Sequence, residues 1–220
     1  MTLQRVLEPE VMDTQEEAVD YNAMDHSTVN RVFVDDLLNV DGFRGDVLDL
    51  GTGTALIPIE LCERFEDCRV MAVDMAAHML DLAKYNLEMA SLTERIELSQ
   101  VDAKGLDYDD DAFDAVISNS IVHHIPEPKS CLSEAVRVTK PGGILFFRDL
   151  MRPESGKVVE ELVETYAGEE NDHSQKMFDD SLRAALSLEE IQALVIELGF
   201  AADSVTASSD RHWTWVGRKA

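Results

Sequence analysis

Cysteine is scarce in this chain, and what there is has no framework spacing. Three residues, Cys62, Cys68 and Cys131, make an odd count with no C-x-x-C pair. That excludes a disulfide scaffold or a cysteine zinc site and points to a reducing compartment. Cations are scarce too. Lys and Arg number 19 against 44 Asp and Glu, a formal charge of −25. A surface of that sign repels nucleic acid and anionic membranes, because affinity for either needs clustered positive charge. The bland reading is a solvated acidic surface that aids solubility. No stretch approaches the roughly 18 consecutive apolar residues of a spanning helix. The first ten residues lack the basic and apolar pattern of a secretory leader. The expectation is a cytoplasmic protein with no membrane insertion and no nucleic-acid partner. No internal repeat is visible, and low complexity is confined to the acidic run Asp107–Asp111, read as an exposed loop.

What is present is a regular alternation. The 220 residues are 45% hydrophobic, enough for one globular domain with a sizeable core. Val29, Phe33 and Leu37 recur at helical spacing, with Ser27 as the expected N-cap. The helical reading of residues 1–40 makes them an N-terminal cap. From Asp46 onward short apolar runs alternate with helical segments. Strands are expected at Val47–Leu50, Arg69–Val73, Arg95–Ser99, Phe113–Ser118 and Ile144–Arg148. Helices are expected at about Ala55–Phe65, around Leu80–Ala90, and near Lys129–Val138. Lys140–Gly143 reads as a tight turn. Alternation of this kind predicts an α/β fold with a parallel sheet covered on both faces. Ser187 and Glu190 spell a capping box before a helix that ends near Gly199. Two closing strands follow, about Ala202–Ala207 and Arg211–Gly217, as an antiparallel hairpin. Trp213 and Trp215 share one face of the last strand and read as sheet packing. Residues 150–187 interrupt the rhythm with charged helical patterning. They follow a strand end, where ligands bind in open α/β sheets, so they are a candidate substrate lid.

The chemically informative segment is Asp49-Leu50-Gly51-Thr52-Gly53-Thr54, between a strand and a helix. Gly51 and Gly53 allow a sharp turn close to a ligand, and the helix that follows aims free N–H groups at it. A dinucleotide site would open the same way. However, its third glycine would fall on Leu56, and the charge of Asp49 would oppose a pyrophosphate while suiting an ammonium or sulfonium. Asp74 ends the second strand, 23 residues after Gly51, where a carboxylate accepts both ribose hydroxyls of a nucleoside. Asp102 with Ala103, after the third strand, is placed to meet an adenine edge.

VLDLGTGTALIPIEL, VDMAAHML, QVDA, FDAVISNSIVHHI and VTKPGGILFFRDL occur in that order. They resemble the successive motifs of class I S-adenosylmethionine (SAM)-dependent methyltransferases, in the small-molecule branch that includes quinone-biosynthesis enzymes. The resemblance covers about Asp46–Asp149. It implies one Rossmann-like domain over residues 1–220, with a seven-stranded, mostly parallel sheet in the order 3-2-1-4-5-7-6 and strand seven antiparallel. It implies SAM as cofactor, S-adenosylhomocysteine as product, no metal, and a small-molecule acceptor. Carried over, Asp49, Gly51 and Gly53, with Thr52 and Thr54 of the same turn, hold the amino-acid end of SAM. Asp74 binds ribose, Met75 packs on adenine, and Asp102 and Ala103 sit at its edge. Ser118 and Asn119 lie near the methyl group, and Tyr21 closes over the cofactor. The Asn/Asp-Pro-Pro-Tyr/Phe signature of many amino-methylating members is replaced by Ser118-Asn119-Ser120-Ile121, which speaks against that chemistry.

Such a transfer is an in-line displacement whose rate comes largely from alignment. A base is needed only for an acceptor that cannot lose its proton to solvent. His123 and His124 are the catalytic candidates. On a helix, adjacent residues point apart, so the pair is not expected to serve one atom. Nor is it expected to bind a metal, because no Cys or acidic residue stands at ligand spacing. Arg148 and Asp149 are candidates to touch the acceptor, or an ion pair at a strand end. Met24, Asp25 and His26 are candidates for the mouth. His173 has no assigned role. The alternatives are a SAM-binding sensor or assembly protein without transfer, and an NAD(P)-dependent oxidoreductase. The oligomeric state is open, a homodimer included.

Overall fold

Strand β1 (Asp46–Leu50) is buried at every residue after its first, as expected of a strand covered on both faces. It lies at the centre of parallel pairings in the computed structural model, which describes residues 3–9, 13–23 and 26–220. β2 (Arg69–Asp74) pairs with β1 from Asp46↔Arg69 to Leu50↔Val73. β4 (Phe113–Asn119) flanks β1 on the other side, and β3 (Ile96–Gln100) extends the sheet beyond β2, both in parallel. With β5 (Thr139–Leu150), β6 (Val205–Ala207) and β7 (His212–Arg218), the order is β3-β2-β1-β4-β5-β7-β6. β7 runs antiparallel to β6, with Val205 opposite Trp215. The expected Rossmann-like order and the antiparallel last strand are both borne out.

Contacts divide the chain into two compact units. One comprises Val11–Asn119, Ser130–Phe147 and Gly217–Ala220. It contains α1 (Gln15–Ala23), α2 (Ser27–Leu38), α3 (Leu56–Arg64) and α4 (Ala77–Ala90). Its core gathers Phe33 and Leu37 of α2, Leu61 of α3, Leu87 of α4, Ile117 of β4, and Ile144 and Phe146 of β5. The Phe33 and Phe146 rings meet edge to face at 5.0 Å. Ala18 and Tyr21 of α1 pack with Ala76, Met79 and Leu82 at the start of α4. The other unit comprises Met1–Glu10, Ser120–Lys129 and Arg148–Val216. There α6 (Gly156–Ala167) and α7 (Asp172–Ala184) enclose a smaller core of Leu150, Val159, Leu162, Leu182 and Ala185. α8 (Leu188–Glu197) starts with the expected Ser187/Glu190 capping box. Trp213 and Trp215 are fully buried. The helix α5 (Pro128–Val138) precedes β5.

Three local expectations need correction. Ser27 is the first residue of α2, and His26 occupies the N-cap without a side-chain cap bond. Residues 140–143 belong to β5 rather than to a free turn. The Gly142 N–H donates to Lys219 O (2.8 Å) and the Lys219 N–H to Gly143 O (3.0 Å), so the ladder with the chain end continues through the glycines. The penultimate strand is short, because Ala202–Ser204 form a 3₁₀ turn before it.

Candidate functional site

The turn after β1 is anchored before any ligand is considered. The N–H groups of Gly51 and Thr52 both donate to Val73 O at the end of β2, each at 2.9 Å. Gly51 and Gly53 have φ of +69° and +55°, a region that costs a side-chain-bearing residue energy. Gly53 N–H donates to Asp74 Oδ2 (2.7 Å), and Ala76 N–H to Asp74 Oδ1 (2.8 Å). Asp74 therefore ties the glycine turn to the start of α4. Asn86 of α4 secures the far side through its Nδ2, which donates to Thr54 O and to Asn22 Oδ1, both at 3.0 Å. Ala55 (φ +62°) then leads into α3 with no side-chain cap, so the first N–H groups of α3 have no side-chain acceptor there.

Tyr21, Asp49, Gly51, Thr52, Thr54 and Asn119, all expected at the site, line one cleft at the ends of β1 and β4. Asn30, Leu56 and Ile57 complete it and were not anticipated. Asn30 had a signal. It falls on the same helical stripe as Phe33, Val34 and Leu37, where a polar side chain is out of place unless it serves a site. None of the lining residues is basic. Asp49 is 2% exposed. Burial, together with the negative charge of Asp74, pushes its carboxyl up to about 7, against the lowering influence of the nearby Thr52 hydroxyl. The same burial and the same two carboxylates push the Tyr21 phenol up to about 12. Thr54 Oγ1 and Asn119 Oδ1 are buried without a hydrogen-bond partner. Unmet polar atoms beside the buried Asp49 carboxyl suit a ligand that brings positive charge and donors.

The remaining expected cofactor residues lie outside that lining. Met75 is 44% exposed, an apolar side chain open to solvent beside Asp74. Asp102 accepts from Lys104 N–H (2.9 Å) and faces Lys104 Nζ at 3.0 Å. These contacts hold its carboxyl below the usual range although burial opposes them. Ala103 is buried. Ser118 is committed to the sheet, its hydroxyl donating to Leu50 O at 2.9 Å. His26 stacks on Tyr21 with ring centroids 4.4 Å apart, and its Nε2 bonds Tyr21 O at 2.9 Å. Met24 and Asp25 lie outside the described residues.

His123, His124, Arg148 and Asp149 belong to the other unit. His123 and His124 end a 3₁₀ turn, Val122–His124. Asp149 Oδ1 contacts His123 Nδ1 at 2.5 Å and accepts from Leu150 N–H at 2.6 Å, while Oδ2 accepts from Val122 N–H at 2.5 Å. Burial would raise the Asp149 carboxyl, but the His123 charge and these donors outweigh it and hold it low. Burial likewise lowers His123, and Asp149 more than reverses that, so its imidazolium is favoured. Arg148 Nε donates to Thr214 Oγ1 at 2.9 Å. The expectation that the two histidines point apart is corrected. Their rings are 4.1 Å from each other and tilted by 36°. Both face Glu8 Oε1, His124 Nδ1 at 3.1 Å and His123 Nε2 at 3.5 Å. A 3₁₀ turn, unlike the α-helix assumed, brings adjacent side chains to one atom here. No pattern in the sequence around Glu8 announces this partnership.

Comparison with known proteins bears on this geometry. Residues 48–147 match the family model described as a methyltransferase domain. A phosphatidylethanolamine N-methyltransferase of Cereibacter sphaeroides is 35% identical over 105 residues, covering 48% of this chain and 50% of that protein. A demethylmenaquinone methyltransferase of Deinococcus radiodurans is 36% identical over 110 residues, covering 50% and 45%. The chain thus spans about half the length of the curated relatives it matches. The crystal structure of a SAM-dependent methyltransferase from Aquifex aeolicus superposes with a TM-score of 0.71 at 18% identity, covering 94% of this chain and 99% of that one. The likeness to class I SAM-dependent methyltransferases, read first from motif order, holds in both family model and fold.

Proposed function

We propose that this protein is a SAM-dependent methyltransferase that acts on a small-molecule acceptor. The observation that carries the reading is the cleft after β1, where buried Asp49 stands near Asp74 with no basic residue in the lining. A carboxylate so placed favours a ligand ammonium or sulfonium over a phosphate. Asp49 and the Gly51–Thr54 turn receive the amino-acid end. Asp74, at the end of β2 beside the glycine turn, accepts the ribose hydroxyls. Met75 offers its exposed side chain to the adenine, with Asp102 and Ala103 at the adenine edge. Asn119 turns its unpartnered oxygen to the ligand. When bound, SAM supplies an electrophilic methyl group on sulfur.

Leu56 lines the cleft at the place where a dinucleotide fingerprint needs its third glycine, which weighs against a nicotinamide cofactor. The names of two relatives, a phosphatidylethanolamine N-methyltransferase and a demethylmenaquinone methyltransferase, support a small-molecule acceptor. No helix among the described residues is long and apolar enough to cross a membrane. Calorimetric titration with SAM and S-adenosylhomocysteine tests the binding. Saturable heat at one equivalent is expected, and no response to either at high micromolar concentration overturns the reading. Label transfer from methyl-labelled SAM into a small-molecule extract tests the reaction. Binding without transfer across a broad extract would favour a SAM sensor.

A further inference from the structure

The sequence offers His123 and His124 no third ligand nearby, but the fold brings one from 115 positions away along the chain. We propose that Glu8, His123 and His124 form a site for one divalent transition-metal ion of the zinc, cobalt or nickel kind. One ligand atom from each residue, two imidazole nitrogens and a carboxylate oxygen, lies within 4.8 Å of the others. All three side chains are largely shielded, at 10%, 4% and 17% exposure for Glu8, His123 and His124.

Two details favour a cation over a self-contained hydrogen-bond cluster. First, Glu8 Oε1 and His124 Nδ1 are buried, face each other at 3.1 Å, and make no hydrogen bond of acceptable direction. Unsatisfied buried atoms of this kind are uncommon and call for a partner. Second, two of the three ligands, His123 and Glu8, are braced from behind. Asp149 holds His123 Nδ1 at 2.5 Å, which leaves Nε2 turned to the cluster. A carboxylate on the far nitrogen is the support that orients and strengthens a metal-bound histidine. Ser181 Oγ donates to Glu8 Oε2 at 3.2 Å, leaving Oε1 for the ion. Arg5 adds a cation to this neighbourhood, but its Nη2 is spent on the carbonyls of His123 (3.1 Å) and Ile125 (2.9 Å).

The donor set selects the metal class. Two imidazoles and one carboxylate suit zinc and its neighbours, whereas calcium and magnesium prefer all-oxygen shells. Three protein ligands leave a fourth position for water or another small donor.

The test uses the full chain, stripped with chelator and titrated with Zn²⁺ and Co²⁺. One ion per chain is expected, with the visible d–d bands of a low-symmetry cobalt site. Imidazole NMR resonances of His123 and His124 should shift on adding Zn²⁺, while that of His78, paired with Asp13 at the surface, stays in place. Glu8→Gln and His124→Ala should each weaken Zn²⁺ at least tenfold, and His78→Ala should not. Thermal melting establishes that each variant is folded. If one is not, the parent's cobalt spectrum and imidazole shifts decide alone. No stoichiometric ion in the parent, or affinity indifferent to Glu8 and His124, overturns the site and leaves an ion-paired cluster in its place.

Discussion

Asp49 and Asp149 are a matched pair. Each is the penultimate residue of its strand, and each is sealed from water, at 2% and 1% exposure. Burial acts on both in the same direction, yet their carboxyls move oppositely. Asp49 rises to about 7 and Asp149 falls. The difference lies in what each one faces. Asp49 meets the like charge of Asp74. Asp149 meets the His123 imidazole and the N–H groups of Val122 and Leu150. Asp149 therefore has its countercharge beside it, whereas no residue lining the cleft around Asp49 is basic. A buried acid marks a binding site when its neighbourhood lacks a cation, and structure when it does not.

The contrast breaks most visibly at Asp149. Asp149→Ala strands a buried imidazole and the backbone donors of Val122, His123 and Leu150, and should cost roughly 3–5 kcal/mol of stability, read as a lowered denaturant midpoint. Equal stability of variant and parent would show that the pair is not holding the unit together. Asp74→Ala is the counterpart in the glycine-turn unit. Loss of hydrogen bonds worth about 1.5–3 kcal/mol each to a charged acceptor should weaken SAM at least tenfold in calorimetry, with far-UV dichroism unchanged. Unaltered affinity would mean the ribose is held elsewhere.

The subtlest consequence concerns pH. Asp49 has a folded pKa raised above its unfolded value, so it contributes stability that is lost as pH rises from about 4 through about 7. A cationic ligand binds the ionised form. Below about pH 7 SAM affinity should therefore fall toward tenfold per pH unit. Asp49→Asn should flatten that dependence, weaken binding at neutral pH and leave the ligand-free protein more stable than the parent at pH 8. A parallel slope in the variant would assign the titration to another group.

Periodicity and punctuation made the sheet legible. Apolar runs ending at Leu50, Asp74 and Asn119 sit where strands end, and the glycine turn between β1 and α3 is local chemistry. The strand order was not in the periodicity but in the order of motifs. The misreading at residues 140–143 arose where long-range pairing overrode local preference. Gly142 and Gly143 look like a turn until Lys219 returns to pair with them. The cleft after β1 was readable because most of its residues cluster at strand ends, and Asn30 escaped because it lies on a helix assigned to packing. Glu8 was invisible in principle. Its meeting with His123 and His124 depends on chain folding over more than a hundred residues, which no local spacing encodes.

The bare start of α3 has a consequence of its own. Ala55 offers no side-chain oxygen, and Pro58 in the first turn lacks an N–H to be satisfied, so the helix begins with few of its leading amides claimed. A bound carboxylate would act as the cap that the sequence omits. Occupancy and helix order would then be a single equilibrium, and amide exchange at Leu56 and Ile57 would slow when the cleft fills.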